Sequence, residues 1–162
     1  MQATILGNGP SRERWQPAPY PWVTFGCNQI YRDFQPTFLI AQDRPVLEQM
    51  ARDRVRTVFV PQDRIRQYGT CGIRNVQPIH NPEQGDQVLL SGHWAMLLAA
   101  RMGFTQLNCF GFDGGPESIY RPLTDTNTPK HYQCTQERHD RFVKQLGTLF
   151  PDVNINMFAD NR

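Results

Sequence analysis

Lysine is nearly absent from this sequence: of its 17 basic residues, only Lys130 and Lys144 are lysines. The formal net charge of +2 over 162 residues is too small to indicate a nucleic acid or a membrane surface as the partner. The glycine-containing segments discussed below contain no lysine, so the phosphate-loop lysine that accompanies nucleoside triphosphates is missing. The other basic residues are arginines, which favour planar contacts with carboxylate or phosphate groups.

Paired cysteines and long apolar runs are also missing. The four cysteines form no Cys-x-x-Cys pair, so no zinc site is predicted. Cys27 and Cys109 lie in apolar, strand-like runs, where a free cysteine packs as a small hydrophobic side chain. We therefore expect a reducing, cytoplasmic compartment. The first residues do not have the pattern of a signal peptide, and no run is long enough to predict a membrane span.

Strand-like and helix-like segments alternate along the chain. Apolar runs predict strands at 2–6, 22–28, 36–43, 56–62, 76–79, 105–113 and 152–158, and helical patterns occupy 45–53, 91–103 and 134–150. Loops are predicted for the rest of 63–89. Because the strands are apolar without strict alternation, we predict an α/β fold with a mostly parallel sheet and helices on both faces. Residues 1–162 are predicted to form one domain.

The segment 91–103 is the clearest helix of the sequence. Ser91 is a good N-cap residue, Gly103 is a good stop, and strong helix formers lie between them. The segment is apolar nearly all round, which predicts a helix buried against the sheet. We expect Trp94, Leu97 and Leu98 to be buried.

Polar residues and glycines lie at the ends of four of the predicted strands. They are the loop Gly7, Asn8, Gly9 and Ser11, the pair Asn28 and Gln29, the pair Gln42 and Asp43, and Asp113. The carboxyl ends of parallel strands bind ligands, so these side chains predict a ligand rim. The alternative is that each residue only begins a turn, as asparagine and aspartate often do. A dinucleotide fingerprint is not complete, because Arg12 stands where Gly-x-Gly-x-x-Gly requires its third glycine.

Three segments in order, "ILGNGPS", "FGCNQIY" and "SGHWAMLLAARMGFTQLNCFGFD", resemble the bacterial sialyltransferases of glycosyltransferase family 42. The resemblance implies a Rossmann-like sheet and a donor that carries a sialic acid on cytidine monophosphate. A more distant resemblance, to hydroxymethylpterin diphosphokinase-like proteins, rests on the glycine-rich first loop and on the segment from Pro36 to Asp43.

The family resemblance also implies site residues. Asn8 and Gly9 would contact the phosphate and sugar of the donor, and Asn28 and Gln29 would reach it from the second strand. Ser91 and Gly92 would bind the nucleotide portion, and Asp113 would close the rim. Tyr120 would bind the leaving phosphate, with Tyr132 as a candidate second partner. The family's catalytic histidine falls on Thr135 here, which leaves His131 as the candidate general base.

Three functions remain open at this point. The first is a small glycosyltransferase that binds a nucleotide sugar, requires no cofactor and transfers the sugar to an acceptor hydroxyl. The second is a non-catalytic nucleotide-binding or structural protein, of cellular or phage origin. The third is a pyrophosphate-transferring enzyme in which Asp43 and Asp113 would hold magnesium at neighbouring strand ends. A nucleotide or nucleotide sugar is the expected partner, and a homo-oligomer is compatible with the sequence.

Overall fold

A computed structural model describes residues 1–16, 23–82, 89–113 and 136–158 of the chain. The seven strands of this part are β1 (Gln2–Leu6), β2 (Val23–Cys27), β3 (Phe38–Ile40), β4 (Thr57–Pro61), β5 (Asn75–Ile79), β6 (Gln106–Phe110) and β7 (Asn154–Phe158). Its four α-helices are α1 (Arg44–Arg52), α2 (Gln62–Tyr68), α3 (Ser91–Arg101) and α4 (Gln136–Leu149). Two 3₁₀ turns, Pro10–Arg14 and Asn28–Arg32, follow β1 and β2.

The strands form one sheet in the order β5-β4-β3-β2-β1-β6-β7, and every pair of neighbours is parallel. The predicted strand positions, including the short one near residue 76, are confirmed. The sheet is entirely parallel in the described part of the chain. Pro78 is tolerated in β5 because this strand lies at the edge of the sheet and has a neighbouring strand on one side only.

Two apolar layers cover the sheet. One face buries α3 and part of α4, including Trp94, Leu97 and Phe142, whereas the other buries Val46, Leu47 and other residues of α1. Successive residues of β1 contribute to opposite layers, which explains the absence of strict alternation in its sequence. The prediction of helices on both faces is confirmed, and so is the burial of Trp94, Leu97 and Leu98.

Two predictions about helices need correction. Residue 62 was expected to end a strand and residues 63–68 to begin a loop, but 62–68 form α2, whose two apolar residues, Ile65 and Tyr68, are too few to show a helical period. The N-cap of α3 is Leu90, and Ser91 is the first helical residue. Gly103 does follow the helix end in the left-handed region, with φ of 93°, as expected for a glycine stop.

No helix in the described residues is long and apolar enough to cross a membrane.

Candidate functional site

The order of the strands reverses beside β1. The chain adds β2 to β5 on one side of β1 and then returns to place β6 on the other side. Loops that leave β1 and β6 therefore begin next to each other at the carboxyl edge of the sheet. This is the topological switch point, where open parallel sheets bind their ligands.

Backbone contacts join the two loops at this point. The Gly7 N–H donates to Phe110 O at 2.7 Å, and the Gly9 N–H donates to Gly111 O at 2.9 Å. A Cβ atom on Gly7 would lie 2.6 Å from Gly111 O, and one on Gly9 would lie 2.8 Å from the same oxygen. Gly7 and Gly9 are therefore required by the close approach of the two loops, whether or not a ligand is present.

Ser11 and Asp113 fasten the same two loops through their side chains. The backbone N–H and the hydroxyl of Ser11 each donate to Asp113 Oδ2 at 2.9 Å, and Ser11 Oγ accepts from the Gly111 N–H at 2.8 Å. Ser11 is completely buried. The polar atoms of Ser11 form hydrogen bonds within the protein and position the loop, and its contact with a ligand stays a prediction.

Asn8 and Asn28 present unpaired amide oxygens beside the switch point. Asn8 Nδ2 donates to Cys27 O at 3.2 Å, which places its side chain against the end of β2, directly before Asn28. Asn28 begins the 3₁₀ turn in the left-handed region, with φ of 57°, and Gln29 follows it in the turn. The Oδ1 atoms of both asparagines are buried, and neither has a hydrogen-bond partner among the described residues. Such atoms require a partner that the described chain does not supply.

The beginning of α3 lies next to the end of β6. Gly92 faces the ring of Phe112, which a Cβ atom at position 92 would overlap. Ser91 is buried in the first turn of the helix. Because the first amides of a helix have no partner within the helix and carry a partial positive charge, this end of α3 favours a negatively charged group.

A pair of buried histidines lies behind this helix end. His93 Nε2 and His139 Nδ1 are 2.9 Å apart, and the Leu90 N–H donates to His93 Nδ1 at 3.3 Å. Since His93 Nδ1 accepts a hydrogen bond, the neutral ring carries its proton on Nε2 and donates it to His139. The network therefore assigns neutral His139 as the Nε2–H tautomer.

Both members of this pair resist protonation. Burial, together with the positive charges of His139 and Arg138, lowers the pKa of His93 to about 3. Burial also lowers the pKa of His139, and Asp140 and Asp113 oppose this effect. The burial of His139 was not predicted from the sequence. Its position three residues before Phe142, on the apolar face of α4, was the signal that it would be buried.

Asp43 lies apart from the switch point. It follows β3, and β2 and β1 separate that strand from β6 and Asp113. Three strand spacings correspond to about 14 Å, so the premise of neighbouring carboxylates for magnesium is corrected. No group of three or more His, Cys, Asp or Glu side chains in the described ranges is arranged to hold a metal ion.

Several site residues predicted from the sequence lie outside the described residues. They are Tyr120, His131, Tyr132 and Thr135. Their roles stay predictions.

Comparisons with solved structures show where this architecture occurs. The sialyltransferase Cst-I from Campylobacter jejuni is 16% identical to this chain in sequence, with a TM-score of 0.65. The match covers 99% of this chain and 76% of the Cst-I chain. CstII from the same organism, in complex with cytidine-5'-monophosphate, is 13% identical to this chain, with a TM-score of 0.66. The match covers 99% of this chain and 80% of the CstII chain. The MAf glycosyltransferase from Magnetospirillum magneticum AMB-1 is 16% identical to this chain, with a TM-score of 0.63. The match covers 98% of this chain and 32% of the MAf chain.

Sequence comparison gives no counterpart to these matches: no family model and no curated protein matches the chain. At 12–16% identity the likeness to solved structures concerns the fold. The resemblance stated from the sequence is confirmed at that level, since the matched structures are sialyltransferases over nearly the whole chain. This chain has the Rossmann-like glycosyltransferase fold of the Campylobacter sialyltransferases.

Proposed function

We propose that this protein is a glycosyltransferase that binds a nucleotide-sugar donor, of the cytidine monophosphate–sialic acid kind, at the carboxyl ends of β1, β2 and β6. The observation that carries the proposal is the pair of buried amide oxygens of Asn8 and Asn28 at the switch point, which have no partner among the described residues. Such oxygens accept hydrogen bonds from the hydroxyl groups of a ribose and from the amino group of cytosine.

The backbone of Asn28 supports the same proposal. A left-handed φ is uncommon for a residue other than glycine, although asparagine tolerates it better than most. Residues held in such conformations cluster at ligand sites, where the surrounding structure keeps them in place. At Asn28 this conformation coincides with a buried amide oxygen that lacks a partner in the described structure. Both features are accounted for if Asn28 binds the donor.

The chemistry of transfer needs two further contributions. Negative charge develops on the nucleotide phosphate as it leaves, and hydrogen-bond donors at that place lower the barrier. The free amides at the start of α3, near Ser91 and Gly92, would supply such donors, together with the predicted Tyr120. A general base must take the proton from the acceptor hydroxyl, and His131 is the candidate for this role.

Calorimetry with cytidine monophosphate tests the donor site. The variant Asn28→Gly removes the amide and keeps the left-handed backbone without strain, so we expect it to fold and to bind the nucleotide roughly tenfold or more weakly, as for a lost ligand hydrogen bond. Asn75→Ala is the matched control, because Asn75 is exposed at the beginning of β5, on the opposite edge of the sheet. It should bind as the unaltered protein does.

The other functions predict different results in the same experiment. Magnesium-dependent binding of adenosine triphosphate, with no response to cytidine monophosphate, would favour pyrophosphate transfer. In a second outcome, the protein binds cytidine monophosphate but releases none from the sugar donor when acceptor saccharides are present. That result would favour a non-catalytic nucleotide-binding protein. Equal binding by Asn28→Gly and the unaltered protein would remove Asn28 from the site.

A further inference from the structure

The 3₁₀ turn after β1 buries a positive charge. Arg12 is only 7% exposed, and its Nε atom is buried without a hydrogen-bond acceptor among the described residues. Buried charges are normally paired, because an isolated charge is costly to remove from water. The ion pairs found in the described ranges join exposed residues one turn apart on helices, and Arg12 is in none of them. A buried guanidinium with no anion among the described residues points to an anion that binds from outside them.

Trp15 holds this guanidinium and adds a second donor. The Cζ atom of Arg12 lies 4.7 Å from the centroid of the Trp15 ring, and Phe34 packs against the same ring in a T-shaped contact. Stacking on the ring occupies one face of the guanidinium and does not use the N–H groups in its plane. The indole Nε1 of Trp15 is also buried without an acceptor in the described structure. Two N–H donors within four residues of the chain, one of them charged, therefore lack acceptors among the described residues.

The two donors belong to the same rim as the unpaired amide oxygens. Burial raises the pKa of the Cys27 thiol to about 12, and the charge of Arg12 opposes this rise, so the guanidinium lies near the end of β2. Asn28 follows Cys27 directly, and Asn8 is bonded to the Cys27 carbonyl. The four buried side-chain atoms that lack partners in residues 1–16, 23–82, 89–113 and 136–158 all lie in the segments that directly follow β1 and β2.

We propose that Arg12 and Trp15 form an oxyanion site, which binds a phosphate or carboxylate group of the ligand beside Asn8 and Asn28. The planar guanidinium edge matches the two oxygens of either group, and a charge-assisted pair of this kind is stronger than a neutral hydrogen bond. The identification of the ligand as a nucleotide sugar rests on the proposed function. The site itself requires only an oxyanion.

Thermal unfolding with inorganic phosphate tests the site without assuming a nucleotide. We expect phosphate to raise the melting temperature of the unaltered protein and of Arg14→Gln, in which an exposed arginine of the same turn is replaced. The rise should be lost or sharply reduced in Arg12→Gln. Phosphate also stabilises folded proteins in general, so the difference between the two variants is the decisive quantity. An equal rise in both variants would overturn the proposal.

The ligand-free proteins give an independent readout. If Arg12 served only the fold, its replacement would lower the melting temperature. Because an unpaired buried charge is unfavourable, we expect ligand-free Arg12→Gln to melt at or above the temperature of the unaltered protein. If Arg12→Gln does not fold, Arg12→Lys replaces it in the phosphate test, and an undiminished phosphate effect in Arg12→Lys would overturn the proposal. Lysine keeps the charge but lacks the planar edge, and it should reduce the phosphate effect.

Calorimetry distinguishes the two sources of the oxyanion. A loss of roughly tenfold to a hundredfold in affinity of Arg12→Gln for cytidine monophosphate, but not for cytidine, would assign the phosphate. The same loss for free sialic acid would assign the carboxylate. Absence of nucleotide binding, with an Arg12-dependent phosphate effect, would overturn the proposed donor and keep the oxyanion site. Equal nucleotide and sialic acid binding by both proteins would overturn the site and keep the donor.

Discussion

Gly111 shows at the scale of one residue how the two loops depend on each other. Its φ is 86°, and a Cβ atom there would overlap the Gly7 carbonyl group. The pair Gly7 and Gly9 was predicted as a ligand loop, with a plain turn as the alternative. Neither description is complete, because the glycines are needed for contact with a second loop, and that contact positions Asn8 at the rim.

Replacement of Gly111 by alanine should destabilise the protein more than replacement of Gly103. Both glycines have a left-handed φ, but the space around Gly103 is open. We expect Gly103→Ala to lose roughly 1–2 kcal/mol from backbone strain. Gly111→Ala should lose at least about 1 kcal/mol more, since the overlap adds to the strain. Urea unfolding measures both values, and equal losses would show that the two loops do not approach as described.

The buried histidines make stability depend on pH. Their pKa values in the folded protein lie below the ordinary value of 6.5, so the unfolded chain takes up protons that the folded chain does not. The stabilisation by neutral His93 is complete above about pH 6.5 and is lost as the pH falls toward 3. Between pH 6.5 and 5, His93 alone should reduce the free energy of unfolding by about 2 kcal/mol.

The variant His93→Gln tests this dependence, because glutamine can still form hydrogen bonds but does not titrate. Its free energy of unfolding should fall less steeply between pH 6.5 and 5 than that of the unaltered protein. The exposed His80 provides the control, and His80→Gln should keep the original pH profile. A profile of His93→Gln that is as steep as the original would exclude the pair as its cause.

At the scale of the elements, α3 is the helix on which the site depends. Nearly all of its residues are buried, and it packs on β1, β2 and β3 while its first turn adjoins Phe112. The helix has this position because it returns the chain from β5 to β6, so that its beginning lies at the carboxyl edge of the sheet. The helix therefore links the apolar core to the switch point.

Truncation of Leu97 to alanine should cost roughly 2–5 kcal/mol of unfolding free energy, as for other buried leucines. Leu97 is 2% exposed within the layer between α3 and the sheet. Leu149 at the end of α4 is 45% exposed, so Leu149→Ala is the matched control and should change stability by less than about 0.5 kcal/mol. Chemical unfolding measures both. A cost below about 0.5 kcal/mol for Leu97→Ala would contradict its burial.

At the scale of the whole molecule, the protection of backbone amides from hydrogen exchange should decrease from the centre of the sheet to its edges. β1 is bonded on both sides and almost completely buried after its first residue, whereas β5 and β7 are edge strands with several exposed residues. Native-state hydrogen exchange should find the slowest amides in β1 and faster exchange in β5 and β7. Uniform protection across the sheet would contradict this expectation, and edge protection that rises with concentration would indicate self-association.

The sequence alone determined the fold class and the position of two polar residues at strand ends. Apolar strands without alternation predicted a parallel sheet, and the composition of residues 91–103 predicted the buried helix, because these signals are local. The same is true of Asn8 and Asn28, which follow strands. Helix α2 escaped prediction because its stabilisation comes from contacts of Ile65 and Tyr68 with the sheet rather than from a local pattern.

Only the tertiary structure decided which strand ends meet. The order of the sheet joined Ser11 to Asp113, about a hundred residues apart in the sequence, and separated Asp43 from both. Local sequence patterns do not contain this information about which strand ends are neighbours. It also buried Arg12 and brought His93 to His139, residues whose types ordinarily indicate the surface. A polar side chain contacts solvent, another residue or a ligand according to which distant segments pack around it. The packing of the complete sheet and its helices determines which segments these are.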